Sequence, residues 1–187
     1  MTCIVGLITK DAAYIGGDTR LTQDSGIING VFEKVFFKNN LLFGFCGNYR
    51  LGQILRYRFS SPDSSKQNFE EYLNTKFIDA LMKCLEKAGH ACLGEGDIPR
   101  IEGDGSFFIA SNREIFTIDP DFCVTKVDEI EALGSGAAYA IGSLETTKDW
   151  DVVHPTSRIQ IALEVACKYA AACAPPFVIM DTNGVRI

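Results

Sequence analysis

The order of elements along this chain predicts an α+β fold in which two antiparallel sheets face each other and helices cover both outer faces. Three observations carry that prediction. Paired β-branched apolar runs fill the first fifty residues, an amphipathic helical stretch follows at 67–88, and a second set of strands is followed in turn by two helical segments and a closing strand.

Residues 3–9 are almost continuously apolar and β-branched, and residues 12–17 return after the turn-like Lys10-Asp11, giving a hairpin. A second pair, 34–38 and 41–46, is joined by Asn39-Asn40, residues that tolerate positive φ. Residues 48–59 turn helical in period, with Leu51, Ile54, Leu55 and Tyr57 on one broad face. A Ser- and Pro-rich break at 60–65 precedes the 67–88 helix, where Phe69, Leu73, Phe77, Leu81 and Leu85 recur every fourth residue up to the stop at Gly89. Residues 94–105, with Gly, Pro and alternating charge, read as an exposed loop. Strands at 107–110, 114–118 and 122–127 come next, with Pro120 marking a turn. Leu133 leads into Gly134-Ser135-Gly136 and a helix over 137–147. A last helix starts at Pro155, runs to about residue 172 and is stopped by Pro175-Pro176, and 177–180 is a final strand.

At 187 residues the chain is expected to form one domain, 1–187, around one core. Apolar residues make up 47% and charged residues 22%, which excludes disordered and fibrous classes. Eighteen basic against 24 acidic residues leave a net charge of −6 with no basic cluster, which argues against nucleic acid as a partner. No apolar run is long enough to span a membrane, and the N-terminus lacks the pattern of a secretory signal, so a cytoplasmic location is expected. Seven cysteines at irregular spacing read as reduced, buried thiols rather than disulfides. With no CxxC and only His90 and His154, neither a zinc site nor any cofactor is implied.

The chemistry is carried by the N-terminus. Removal of a methionine ahead of a small residue would make Thr2 the first residue, so that its hydroxyl gains a free α-amine on the same residue. An α-amine of pKa roughly 7.7–8.0 is partly neutral near pH 7 and can take the hydroxyl proton. The hairpin returns Asp18 to the neighbourhood of Thr2, and Lys34 opens the next strand. An ammonium there disfavours a second positive charge on the amine and favours negative charge on the hydroxyl oxygen, while Asp18 holds the ammonium in place. The plain alternative is that Asp18 is a turn residue and Lys34 an exposed strand-edge lysine.

The segments TCIVGLITKDAAYIGGD, EKVFFKNNLLFGFCGN and ALGSGAAYA resemble corresponding stretches of the proteasome β-subunit family, most closely its bacterial HslV-type ring peptidases. Thr2, Asp18 and Lys34 reproduce the family's two sixteen-residue intervals between nucleophile, Asp and Lys. The resemblance implies a four-layer αββα N-terminal-nucleophile hydrolase and a threonine endopeptidase working through an acyl-enzyme. Gly47 then corresponds to the oxyanion-binding glycine and Ser135 to the serine assisting proton exchange at the amine. Ser135 also suits a helix N-cap, and Arg20 suits either a groove position or a solvated arginine. Lys168 and Ala171 stand about where many relatives carry the Asp and Ser that buttress the amine. Cys3, Cys46, His90 and His154 are left without a catalytic part: the cysteines read as buried thiols, His90 as a surface residue after a helix end.

The implied partners are a peptide or unfolded protein substrate, bound as an added strand, and further copies of the chain in a homo-oligomeric ring. An ATP-dependent unfoldase is raised as a partner without being decided. Two other readings stay open: a catalytically inactive structural ring subunit, and an amidase of small molecules using the same machinery.

Overall fold

The structure, a computed structural model, describes residues 2–23, 26–28, 30–63, 67–103, 105–150 and 153–187. β1 (Ile4–Ile8) and β2 (Ala13–Asp18) form the expected hairpin. β3 (Leu21–Gln23) and β4 (Gly26–Ile28) add a small hairpin that the sequence reading lacked. β5 (Val35–Lys38) and β6 (Leu41–Cys46) are joined through Asn39 and Asn40 at φ 52° and 60°. Two successive positive φ values define the tight turn whose twist matches the flanking strands, which is why two asparagines stand there.

α1 (Tyr49–Tyr57) starts from Asn48, whose side chain accepts from Arg50 N. The expected 67–88 helix is α2 (Phe69–Tyr72), a π-helical turn (Leu73–Phe77) and α3 (Ile78–Lys87) in unbroken succession. A strict four-residue repeat overruns an α-helical turn by about 40° at each step. The looser π turn takes up that drift and keeps Leu73, Phe77, Leu81 and Leu85 all fully buried. The expected 94–105 loop is in part a second small hairpin, β7 (Ala91–Leu93) with β8 (Pro99–Ile101).

β9 (Ser106–Ser111), β10 (Glu114–Ile118) and β11 (Val124–Lys126) follow as predicted. β12 (Ile130–Leu133) is a further strand where the sequence reading had only a lead-in to the glycines. α4 (Ala137–Thr146), α5 (Pro155–Tyr169) and β13 (Phe177–Asp181) complete the chain.

The first sheet has the order β12-β1-β2-β13 and the second β11-β10-β9-β6-β5, with every pairing antiparallel. Three apolar layers separate the elements. Ile4, Ile15, Leu42 and Phe108 fill the space between the sheets. Phe43, Phe45 and Phe107 on the outer side of the second sheet pack with Leu51, Leu55, Tyr72 and Leu81 of α1–α3. Val5 and Leu7 of the first sheet pack with Leu144 of α4 and Ile159 and Leu163 of α5. Each such buried Leu, Ile or Phe contributes about 1.5–3 kcal/mol, so the layers are set by apolar burial on both faces of each sheet. The result is the αββα sandwich expected from the element order. No helix among the described residues is long and apolar enough to cross a membrane.

Candidate active site

The hairpin that begins the chain determines where its first polar residues go. In the register of β1 on β2, Ile4 faces Gly17, so Cys3 and Asp18 lie one step beyond the last pair. Asp18 N donates to Cys3 O at 3.2 Å, and Cys3 N donates back to Asp18 Oδ1 at 3.0 Å. The Asp18 carboxylate therefore grips the peptide group joining Thr2 to Cys3.

Lys34 comes from the other sheet. It sits one residue ahead of β5, and its carbonyl accepts from Phe45 N of β6 at 3.0 Å. Its Nζ reaches across to Asp18 Oδ1 at 2.9 Å and to Arg20 O at 2.8 Å. The other carboxylate oxygen, Oδ2, accepts from Arg20 N at 3.1 Å. Thr2, Asp18 and Lys34 are exposed by only 1%, 0% and 1%, which rejects the turn-residue and exposed-lysine alternative. A buried ion pair keeps its charges only when its remaining polar valences are met, and here backbone groups meet them.

A third segment closes on Thr2 from β12. Gly136 N donates to Thr2 O at 3.3 Å, and Gly134, at φ +94°, passes so close that a Cβ there would stand 2.2 Å from Thr2 O. Only glycine fits that position, both for its backbone conformation and for the approach. Between them, Ser135 is exposed, and its side chain lowers the Cys173 pKa against the larger, raising effect of burial. The expected helix cap is not Ser135: α4 takes Gly136 as N-cap, with no side-chain hydrogen bond. Gly47 lies exposed between β6 and α1 at φ +83°, a conformation that turns the chain sharply after Cys46.

The remaining candidates divide clearly. Burial pushes the Cys3 thiol far above its ordinary pKa and raises Cys46 as well, so neither supplies a thiolate near neutrality. Cys167 and Cys173 are raised to about 12 and about 11, again chiefly by burial. All seven cysteines are free, but Cys92 and Cys123 are exposed, against the expectation of uniformly buried thiols. Arg20 is half-buried, and its Nη1 donates at the surface to Ala171 O at 3.0 Å, so the stretch after α5 is tied to the site through an arginine. His90 is 5% exposed rather than a surface residue, and β7, which follows it, packs against α3. His154 is the N-cap of α5, accepting from Thr156 N. Among the described residues no cluster of His, Cys, Asp or Glu could hold a metal ion.

Tyr49 was not singled out in the sequence. Its hydroxyl accepts from Thr22 N at 2.9 Å and donates to Thr22 O at 3.4 Å, bridging α1 and β3 beside the site. An aromatic residue directly after Gly47-Asn48, at a helix start, was the available signal.

A family model described as proteasome subunit matches residues 1–169. The chain belongs to the proteasome subunit family. Among solved structures, BPH from Thiobacillus denitrificans is similar at TM-score 0.79 and 18% identity, over 96% of each chain. Eukaryotic HslV from Trypanosoma brucei matches at TM-score 0.69 and 17% identity, over 96% of this chain and 98% of that one. Anbu from Hyphomicrobium sp. strain MC1, as a Gly-1 mutant, matches at TM-score 0.71 and 12% identity, over all of this chain and 85% of that one. At such identities these likenesses speak for the fold, which is that of proteasome-type N-terminal-nucleophile hydrolases. A search of curated proteins gave no significant match.

Proposed function

We propose that the chain is a threonine-type N-terminal-nucleophile peptidase, activated by hydrolytic removal of Met1. The observation that carries this reading is the shared oxygen Asp18 Oδ1, which accepts from Lys34 Nζ and from the backbone N–H directly after Thr2. A buried cation is thereby paired with the carboxylate that holds the peptide group following the proposed nucleophile, in a family whose fold serves N-terminal-nucleophile chemistry.

In the proposed reaction the freed Thr2 amine takes the hydroxyl proton as Oγ attacks the peptide carbonyl. Lys34 opposes a second positive charge on the amine and favours the developing alkoxide, and Asp18 positions Lys34. Gly47 N–H donates to the carbonyl oxygen as it becomes an oxyanion. The tetrahedral adduct then collapses, the amine's proton passes to the leaving nitrogen, and an ester on Thr2 remains. Water, deprotonated by the same amine, hydrolyses that ester and restores the hydroxyl. Ser135 assists these proton exchanges from the turn that holds Thr2. The substrate is a peptide or unfolded chain lying as an added strand, and the working form is a homo-oligomeric ring in the cytoplasm, which an ATP-dependent unfoldase can feed.

One observation favours a second reading, that of an inactive ring subunit: Thr2 is 1% exposed. Intact-mass analysis decides between the two. Loss of Met1, followed by a one-to-one adduct of a peptide vinyl sulfone that maps to Thr2 and disappears in Thr2→Ala, is the expected result. Retention of Met1, with no adduct, favours the inactive subunit. Native mass measurement tests the ring.

A further inference from the structure

β3 pairs with β4 along one edge, and among the described residues no strand pairs with its other edge. At that edge Thr22 offers both its backbone N–H and its C=O to a single atom, Tyr49 Oη, which accepts from the first and donates to the second. In an antiparallel ladder, the residue of an incoming strand opposite Thr22 makes the same two bonds, one accepted and one donated. A phenolic hydroxyl can do both because it is donor and acceptor at once. Tyr49 therefore stands where the backbone of an added strand would pair.

The position of this edge ties it to the site. Two residues before Thr22, the Arg20 backbone is held at both ends, its N–H by Asp18 Oδ2 and its carbonyl by Lys34 Nζ. The strand that continues to Thr22 thus leaves directly from the buried ion pair. Tyr49 arrives from the opposite side, two residues after the exposed Gly47. Its ring is steadied by Phe32 at 5.4 Å, and Phe32 in turn meets Phe45 edge-on at 5.8 Å. Ile27 and Ile28 on the paired strand β4, and Val31 beside Phe32 in sequence, are exposed apolar residues.

We propose that Tyr49 is a self-cap on the peptide-docking edge of β3. Its hydroxyl holds the Thr22 backbone pair in the empty protein, and an extended peptide docks by displacing it, so Tyr49 weakens peptide binding and sets how much backbone pairing a substrate must supply. The substrate-facing part of this proposal rests on the peptidase reading above; the docking edge itself does not need the chemistry.

The test compares the full chain with Tyr49→Phe, which keeps the ring against Phe32, and with Tyr49→Leu, which keeps only an apolar side chain there. Fluorescence anisotropy with fluorescein-labelled Leu-Leu-Leu-amide reads docking alone. Labelling of Thr2 by acetyl-Leu-Leu-Leu vinyl sulfone, in which the oxygen adds to the vinyl carbon and its proton passes to the carbon beside the sulfone, reads docking and nucleophile together. Methyl vinyl sulfone, which has no peptide backbone, reads the nucleophile alone. Both variants are expected to bind the peptide about three- to tenfold tighter, the worth of one net hydrogen bond, with the melting temperature lowered by about a few degrees through loss of that same bond and with methyl vinyl sulfone labelling unchanged. Unchanged or weaker binding in a folded variant overturns the cap, as does absence of peptide binding in all three proteins or an equal rise in labelling by both sulfones. Tighter binding with no Thr2 adduct would sink the peptidase reading and leave the docking edge standing. A Thr2 adduct with unchanged binding does the reverse.

Discussion

Two lysines stand at β5, Lys34 just before it and Lys38 at its end, and they are buried by opposite means. Lys34, at 1% exposure, meets a carboxylate and one carbonyl, whereas Lys38, half-buried four residues on, meets the carbonyls of Leu55, Arg56 and Phe59 at the end of α1. Lys38 satisfies the orphan acceptors of a helix C-terminus, where a cation also suits the dipole, and burial lowers its pKa. Among the described residues, its hydrogen bonds go to that helix end alone. Lys34 instead belongs to a chain of contacts that runs through Asp18 to the backbone after Thr2 and through Arg20 to β3. The partner, rather than the residue type or the depth of burial, distinguishes a lysine placed for chemistry from one placed for structure.

The largest effect that could break this contrast is removal of the ion pair's cation. Lys34→Met leaves Asp18 as an uncompensated buried charge and is expected to lower unfolding free energy by about 3–5 kcal/mol, read by urea denaturation. It should also abolish vinyl sulfone labelling of Thr2. Lys34→Arg restores charge but not a compact ammonium reaching one oxygen, so part of the stability should return while labelling does not. Full labelling in Lys34→Met would place Lys34 in the same structural role as Lys38.

The contrast also marks how far the sequence could be read. The sixteen-residue intervals among Thr2, Asp18 and Lys34 were legible through the resemblance to the proteasome β-subunit family, with the hairpin alone bringing Asp18 back towards Thr2, and the strong apolar runs marked most strands of both sheets and the helices that cover them. The β3–β4 hairpin was not legible, since three-residue strands carry no period and pair only with each other. β12 was hidden for a different reason: its Ile-Glu-Ala-Leu becomes a strand by pairing with β1, Ile4 against Leu133, which is a tertiary fact. Arg20 and Tyr49 act through bonds to backbone atoms of Ala171 and Thr22, and such partners have no residue-type signature.

An effect of middle size is expected at the second lysine. Lys38→Met removes donors from three carbonyls at the end of α1, some of which water can reach, and should cost about 1–3 kcal/mol in the same denaturation experiment. Thr2 labelling should remain as in the unaltered protein. A loss of labelling without further loss of stability would show that the end of α1 is coupled to the site, and the two lysines would no longer differ in kind.

The smallest effect concerns a third way of burying a basic group, which is to leave it neutral. His90 is 5% exposed, its Nε2 has no hydrogen-bond partner among the described residues, and Glu102 stands 4.0 Å from Nδ1. Burial lowers the His90 pKa, with Glu102 opposing and Arg50 reinforcing the shift. A folded-state pKa below the unfolded value of about 6.5 means that, between the two, the unfolded chain binds the extra proton, so stability falls as pH drops below about 6.5 and recovers above it. The slope from this one group cannot exceed about 1.4 kcal/mol per pH unit. His90→Phe keeps an aromatic ring in the site without a titrating group, and urea denaturation from pH 7 to pH 5 should show a shallower fall than in the unaltered protein. Identical slopes would mean that Glu102 closes on the protonated ring and pairs with it, making His90 a charged partner like Lys34 rather than a neutral one.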